Sequence, residues 1–449
     1  MGRLFGTDGA RGVANSELTC ELAMNIGRAA AMVLIEGKEE KPTVIIGKDT
    51  RLSSDMLEGA LIAGLCSVGA NVMSLGVVPT PAVAYLVKKY NADAGIMISA
   101  SHNPFEFNGI KIFSGDGYKL PDTLEQEMEA IILDGAKPYA LVEMGDLGHV
   151  LPADNALNDY IEHVKRCVPS SLKGMNIALD CSNGSSSRTA QKLFTDLGAI
   201  CHMMSDTPNG VNINDKCGST HLENLIDYVK KNNVDLGLAF DGDADRCLAV
   251  DENGEVVDGD FLIAICAMDL KERGLLKNNA AVGTIMTNMG FNHFCDENGL
   301  TFVATKVGDR YVLEAMKEND YVIGGEQSGH VIFLEYCTTG DGQMTGAQLA
   351  SLLNRKGTTL SQAAKIMKRY PQVMENVKIT PATKGKVDKD EQVQAELARV
   401  RAVLGDRGRI LVRESGTEPL VRVMLEGECL DEITTLCHET VAVVQSKLG

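Results

Sequence analysis

A strand–helix–strand unit recurs along this chain, and no other feature of the sequence limits the fold as much. A β-branched run at 44–46 is followed by a helical period over 54–68 and a second strand over 71–75. The unit returns as a strand over 176–180, a helix over 187–197 and a strand over 200–204. The two copies share a detail: Gly69-Ala70 stands as far before Pro79 as Gly198-Ala199 stands before Pro208. A looser third copy has strands over 282–286 and 301–304, with a helix near 288–297 between them. Short apolar strands alternating with helices predict the α/β class. Repetition on this scale predicts three similar α/β domains, and 449 residues leave room for a further one.

Boundaries are expected where turn residues and charge gather. The segment 145–155 carries two Gly, a Pro and several acidic or amide residues. The polar stretch 251–259 reads either as a boundary or as a hairpin turn. After Tyr370-Pro371 the character changes to a Lys- and Asp-rich loop over 384–391 and then an amphipathic helix. The expected division is 1–150, 151–255, 256–370 and a C-terminal α+β domain over 371–449.

Composition narrows the function. Hydrophobic residues at 44% and charged residues at 23% suit a core-forming chain and exclude disorder. Trp is absent, so the cores must be built from Ala, Val, Leu, Ile and Met. A net charge of −18 repels polyphosphate and argues against nucleic acid as a partner. A phosphorylated ligand would need Arg, Lys and backbone N–H groups concentrated at a few points. The 12 Cys include no C-x-x-C pair, the nearest two being Cys429 and Cys437. They read as small core hydrophobes in a reducing cytoplasm. The opening MGRLFGTDGARG lacks the apolar stretch of a signal peptide. Residues 59–87 carry no charge and could in length span a bilayer. Gly64, Gly69, Asn71, Gly76, Pro79 and Pro81 interrupt them, so they read as helix, turn, strand and loop, with no membrane partner.

Five short segments carry side chains that a core cannot use. IMISASHNP ends an apolar strand in Ser99, Ser101, His102 and Asn103. A hydroxyl at a strand end beside an imidazole can be a nucleophile or phosphoryl carrier, or merely a turn that stops the strand. LGLAFDGDADR places Asp241, Asp243 and Asp245 two residues apart after a buried strand. Carboxylates so crowded repel unless a cation neutralises them, and oxygen ligands favour Mg²⁺ or Ca²⁺. An EF-hand loop is a poor match, because Arg246 replaces the required Gly. A haloacid-dehalogenase-like phosphatase, with Asp241 as the phosphorylated residue, is the rival of another class.

GGEQSGH offers Glu326, Gln327, Ser328 and His330 on a Gly-rich loop, a mixture of donors and acceptors that suits sugar hydroxyls. RESGTEP followed by Arg422 combines Arg413, Ser415, Gly416, Thr417 and Arg422 as a cradle for phosphate, against a solvated turn as the plain alternative. Arg11 in GTDGARG and Lys111 in NGIK could each neutralise a moving phosphoryl group.

In this order and spacing the five segments resemble the α-D-phosphohexomutase family over essentially the whole chain. GTDGARG is similar to the family's D-x-x-R-G segment, SASHNP to its phosphoserine loop and DGDADR to its metal loop. GEQSGH resembles its sugar loop and RESGTEP its phosphate-binding loop. The resemblance implies three α/β domains and a C-terminal α+β domain around a central cleft. It implies a phosphoserine at Ser101, and Mg²⁺ held by Ser101, Asp241, Asp243 and Asp245. Arg11, His102, Lys111 and Arg246 would be catalytic, and Lys111 is favoured over His102 and His330 as the base. Glu326, Ser328 and His330 would bind the sugar.

GTDGARG close to Met1 and Gln327 in GEQSGH resemble the family branch that interconverts glucosamine 6-phosphate and glucosamine 1-phosphate. The route implied passes through glucosamine 1,6-bisphosphate, as intermediate and activator, and feeds UDP-N-acetylglucosamine and cell-wall precursors. The alternative within the family is the phosphomannomutase/phosphoglucomutase branch. The resemblance implies a cytoplasmic enzyme with a phosphosugar as its partner. It admits a homodimer without requiring one.

Overall fold

Three sheets of this chain are built on one order of strands. The structure is a computed structural model that describes residues 2–6, 8–34, 41–380, 383–414 and 420–449. It divides into two units, Met1–Met286 with Leu300–Ile366, and Thr287–Gly299 with Met367–Gly449.

In the larger unit, the first sheet contains Asn71–Val77, Thr43–Lys48, Ala94–Ile98 and Phe107–Ser114 as successive neighbours, the last one antiparallel. The second repeats this with Ile200–Met204, Asn176–Asp180, Leu236–Phe240 and Cys247–Val250. The third repeats it with Thr301–Thr305, Ala280–Thr284, Ile323–Gly325 and Val331–Phe333. Ala94–Ile98, Leu236–Phe240 and Ala280–Thr284 are buried at every position. This is why they read as unbroken apolar runs rather than alternating ones.

Alanine and glycine let helices approach closely, while Tyr160, Phe113, Phe194 and Phe240 fill core positions where aliphatic residues were expected. Helix Cys20–Leu34 buries Ala23, Ala29, Ala30 and Ala31. It lies against Leu52–Ser67 so tightly that a Cβ on Gly27 would stand 2.9 Å from the Leu61 carbonyl oxygen, and one on Gly64 2.2 Å from that of Met24.

The structure departs from expectation at definite places. The stretch after Pro79, expected as a loop, is the helix Thr80–Lys89, with Pro81 in its first turn. There a proline gives up only an N–H that the helix would not pair. The first two residues of the expected helix 187–197 belong to a 3₁₀ turn, Ser185–Arg188, and the α-helix is Ala190–Asp196. Residues 251–255 form a hairpin turn, since Val256–Val257 pairs back on Cys247–Val250. Val150–Leu151, within the expected boundary loop, is an edge strand on Asn71–Val77. Among the described residues no helix is long and apolar enough to cross a membrane.

The smaller unit has a different plan. Gln372–Lys378, Leu420–Gly427 and Gly408–Glu414 form an antiparallel sheet in that order. Its core joins Val421, Val423 and Leu425 to Val393, Leu397 and Val400 of helix Glu391–Leu404, and to Ile433, Leu436 and Val444 of helix Leu430–Leu448. The helix Met289–Glu297, which the third repeat supplies, belongs to this unit. Buried Glu426 accepts hydrogen bonds from the Met289 N–H at 3.1 Å and from Asn288 Nδ2 at 3.3 Å, which binds the helix start to Leu420–Gly427.

Candidate active site

Three of the motifs occupy equivalent turns. Residues 99–106, 241–246 and 326–330 each connect the third strand of a repeat to its antiparallel fourth. The repeated fold thus delivers a polar loop to the carboxyl end of a buried strand three times, where open α/β sheets bind ligands.

Ser101 is buried and has φ 53°, a left-handed conformation that costs energy for a residue with a Cβ. The surroundings enforce it. Its N–H donates to Ser99 Oγ at 2.9 Å, and Ser99 Oγ donates to Asp49 Oδ2 at 2.6 Å. Its carbonyl accepts from Arg51 Nη2 and Asn214 Nδ2, both at 2.9 Å. Arg51 is itself paired with Asp49 at 2.8 Å, with both side chains fully buried. The Ser101 hydroxyl donates to Asp241 Oδ2 at 2.6 Å.

Asp241, Asp243 and Asp245 are buried, and one carboxylate oxygen of each lies within 4.8 Å of the others. Burial, then Asp245 and Asp243, push the Asp241 carboxyl well above the usual range. Burial opposes ionisation of Asp243 as well, but Lys111 outweighs it and holds that carboxyl low. Oδ1 of Asp243 and Oδ1 of Asp245 are buried without a hydrogen-bond partner. Orphaned carboxylate oxygens beside a neighbour whose ionisation is opposed by the other two carboxylates fit a hard divalent cation, and all the donors are oxygen. The family's Mg²⁺ suits this set.

Cations surround the cluster. Lys111 Nζ lies 2.8 Å from Asp243, 3.2 Å from Asp8 and 3.5 Å from Asp245. Burial disfavours its charge, but these carboxylates outweigh burial and raise its pKa. Paired three ways, the Lys111 ammonium is held charged in the free protein. Arg11 pairs with Asp8 and reaches the Ala100 carbonyl at 3.4 Å. Arg246 Nη1 lies 3.0 Å from His102 Nδ1, and that ring stands 3.4 Å from Ser101 Oγ. Burial, then Arg246 and Arg11, push His102 down to about 4, so its imidazole is neutral near pH 7.

The 326–330 turn lies beside the acidic one: the Cys247 N–H donates to the Gly329 carbonyl at 3.0 Å. Glu326 accepts from the Gly308 N–H at 3.1 Å, His330 is buried, and Ser328 is exposed. Gly340 is wedged in between, since a Cβ there would stand 2.5 Å from the His330 ring and 2.7 Å from the Asp245 carbonyl oxygen. Ser101, His102, Lys111, Arg11, the three Asp, Arg246, Glu326, Ser328 and His330 thus all lie in the larger unit.

Arg413 and Arg422 lie in the smaller unit, directly opposite each other on paired strands. Among the described residues neither has an ion-pair partner, and burial, then Arg422, lower the pKa of Arg413. Two guanidinium groups left facing each other suit an anion. Ser415, Gly416 and Thr417 lie outside the described residues.

Sequence reasoning missed Asp49, Arg51, Thr80, Asn214, Lys119 and Asp309. Thr80 Oγ1 donates to Asp243 Oδ2 at 2.7 Å, and Lys119 bridges Asp8 at 2.6 Å and Asp309 at 2.5 Å. A signal existed for the first pair: DTRLSS follows the strand Thr43–Lys48 as SASHNP follows Ala94–Ile98.

Solved structures share this fold. A phosphoglucomutase/phosphomannomutase family protein from Burkholderia thailandensis superposes with TM-score 0.83 at 23% identity, covering 99% of this chain and 98% of that one. A putative phosphomannomutase from Thermus thermophilus gives 0.79 at 22% identity, covering 98% of each. The fold is therefore that of the phosphohexomutases. Models of all four phosphoglucomutase/phosphomannomutase domains match, I at 2–138, II at 158–254, III at 258–370 and the C-terminal domain at 374–443. The chain belongs to the phosphoglucomutase/phosphomannomutase family. The phosphoglucosamine mutase of Clostridium novyi is 52% identical over 447 residues, spanning 100% of this chain and 99% of that one. That of Clostridium beijerinckii is 53% identical over 447 residues, spanning 100% of both.

Proposed function

We propose that this mutase interconverts glucosamine 6-phosphate and glucosamine 1-phosphate through a phosphoserine at Ser101 and glucosamine 1,6-bisphosphate. The observation that carries the site reading is the buried Ser101 hydroxyl, 2.6 Å from Asp241 at the edge of the three-carboxylate cluster. The sugar rests on full-length identity above half to phosphoglucosamine mutases. The division 1–150, 151–255, 256–370 and 371–449 is part of the same reading.

In the first half-reaction a bond forms from the sugar hydroxyl oxygen to phosphorus as the Ser101 Oγ–P bond breaks. The hydroxyl proton leaves to a base and Ser101 Oγ is reprotonated. After the bisphosphate turns over, the reverse transfer returns the other phosphate to Ser101. Asp241, Asp243, Asp245 and an oxygen on Ser101 would hold Mg²⁺, whose charge, when bound, stabilises the bridging oxygen as it leaves. Lys111, Arg11 and Arg246 neutralise the equatorial oxygens. Lys111, His102 and His330 are the candidates for proton transfer, and His102 is neutral and close to Ser101. Glu326, Ser328 and His330 hold ring hydroxyls. Arg413, Ser415, Gly416, Thr417 and Arg422 hold the phosphate that is not reacting. Twelve free cysteines support a reducing cytoplasm.

Two measurements test this. The tryptic peptide 90–111 of active enzyme should carry a hydroxylamine-resistant phosphate. A labile phosphate on the peptide containing Asp241 would mean an aspartyl-phosphate enzyme instead. With phosphorylated enzyme and Mg²⁺, kcat/KM for glucosamine 1-phosphate should exceed those for glucose and mannose 1-phosphates by about ten- to two-hundredfold. A higher value for either of the others assigns the chain to the phosphomannomutase/phosphoglucomutase branch.

A further inference from the structure

The acidic turn is suspended from all three repeats of the larger unit. The carbonyl of Gly242 accepts the Ser185 N–H at 2.8 Å, that of Asp243 accepts the Thr80 N–H at 2.9 Å, and that of Ala244 accepts the Gly342 N–H at 3.0 Å. Ser185 begins the 3₁₀ turn of the second repeat, Thr80 begins a helix of the first and Gly342 begins a helix of the third. Three consecutive carbonyls are thereby fixed by N–H donors from other elements, which holds the backbone that carries Asp241, Asp243 and Asp245. Ala244 adopts φ 56°, a conformation such a loop needs and an alanine resists.

Only one of the three suspending residues also touches a carboxylate. Thr80 is fully buried and spends both its donors on Asp243, the N–H on the carbonyl and the hydroxyl on Oδ2 at 2.7 Å. Lys111 takes the same Oδ2 at 2.8 Å. Oδ2 is thus saturated while Oδ1 stays buried with no partner. A carboxylate held by one oxygen cannot rotate, so the free oxygen is presented in a fixed direction.

We infer that Thr80 is a positioning residue for the divalent cation. It orients the Asp243 carboxylate from a neighbouring domain, so that the first domain contributes to metal affinity without itself supplying a ligand other than Ser101. This rests on the assignment of the three aspartates as the metal site. The same logic governs hydrogen-bonded partners of metal-ligating groups in general, whose loss costs about ten- to a hundredfold in metal affinity.

Calorimetric titration of Mg²⁺ into the full-length, dephosphorylated enzyme tests it without reference to turnover. Thr80→Val, which keeps the N–H and the shape but removes the hydroxyl, should raise the Mg²⁺ Kd about ten- to a hundredfold. Thr80→Ser should restore it to near the wild-type value. If the valine's second methyl unfolds the site, Thr80→Ala reads the same quantity. Melting in EDTA checks that each variant is folded. A wild-type Kd for Thr80→Val or Thr80→Ala overturns the inference, and so does a serine variant as weak as the valine, which would assign the loss to packing. Asp243→Asn in the same titration separates the two levels. If it binds Mg²⁺ as the wild type does, the metal-site assignment falls, whatever Thr80 does.

Discussion

The turn at 241–246 and the turn at 326–330 join the equivalent pair of strands in two different repeats, yet they are finished in opposite ways. In the first, the three carboxylates are buried and successive carbonyls are each met by an N–H from another element. In the second, Glu326 and Gln327 are half-buried and Ser328 is exposed. One is a closed device that concentrates charge in a region of low dielectric. The other leaves polar groups open to solvent. Phosphoryl transfer needs a fixed field, because it depends on groups that do not reorganise as charge moves. A sugar that must be held in two orientations needs donors and acceptors that accept either. A duplicated fold can supply both, because the turn is free to diverge while the strands beneath it stay the same.

The largest effect expected from this contrast is on the closed side. Asp245→Asn keeps the shape of the side chain but removes one of three charges, and its Oδ1 is among the orphaned oxygens. Steady-state kinetics in Mg²⁺ should give a kcat lower by about two orders of magnitude, roughly 2.7 kcal/mol, with little change in KM for the sugar phosphate. Full activity of this variant in EDTA would break the comparison, since the closed turn would then need no cation.

Arg422→Ala carries the contrast to the smaller unit, where Arg422 lies on the strand Leu420–Gly427. Arg413 and Arg422 stand opposite each other with no counter-ion among the described residues, and in the proposed function they supply charge to a ligand. Charge-assisted hydrogen bonds are worth about 1.5–3 kcal/mol, and KM for either sugar phosphate should rise about tenfold or more. Unchanged kinetics would reduce the pair to a feature of the sheet.

How far the sequence exposed all this follows the same division. Strands buried on both faces announce themselves as apolar runs, and Asn176–Asp180 stands where expected, as does the more exposed Ile200–Met204. The aspartates were legible because three of them at spacing two, after a strand, have few uses. What was hidden is contributed from a distance. Thr80 meets Asp243 across 163 positions and Asn214 meets the Ser101 carbonyl across 113, and no local pattern records such pairs. Pro79 and Pro81 suggested a break where a helix begins, because a proline in the first turn and a proline in a loop look alike in sequence. The left-handed Ser101 was equally silent, since its conformation is imposed by Arg51, Ser99 and Asn214 rather than preferred by serine.

The smallest effect expected lies on the open side, and it separates two ways in which that turn could work. Ser328 is exposed and Glu326 already spends one oxygen on the Gly308 N–H, so Ser328→Ala disturbs nothing in the free protein. A single neutral hydrogen bond is worth about 0.5–1.5 kcal/mol, so KM should rise about two- to tenfold while kcat stays near the wild-type value. The informative comparison is between the two directions of the reaction. If the turn serves the sugar in both orientations, KM for glucosamine 1-phosphate and KM for glucosamine 6-phosphate should rise by similar factors. If only one of them moves, the hydroxyl reads a single orientation, and the open turn is specialised for one pose just as the closed turn is for one charge.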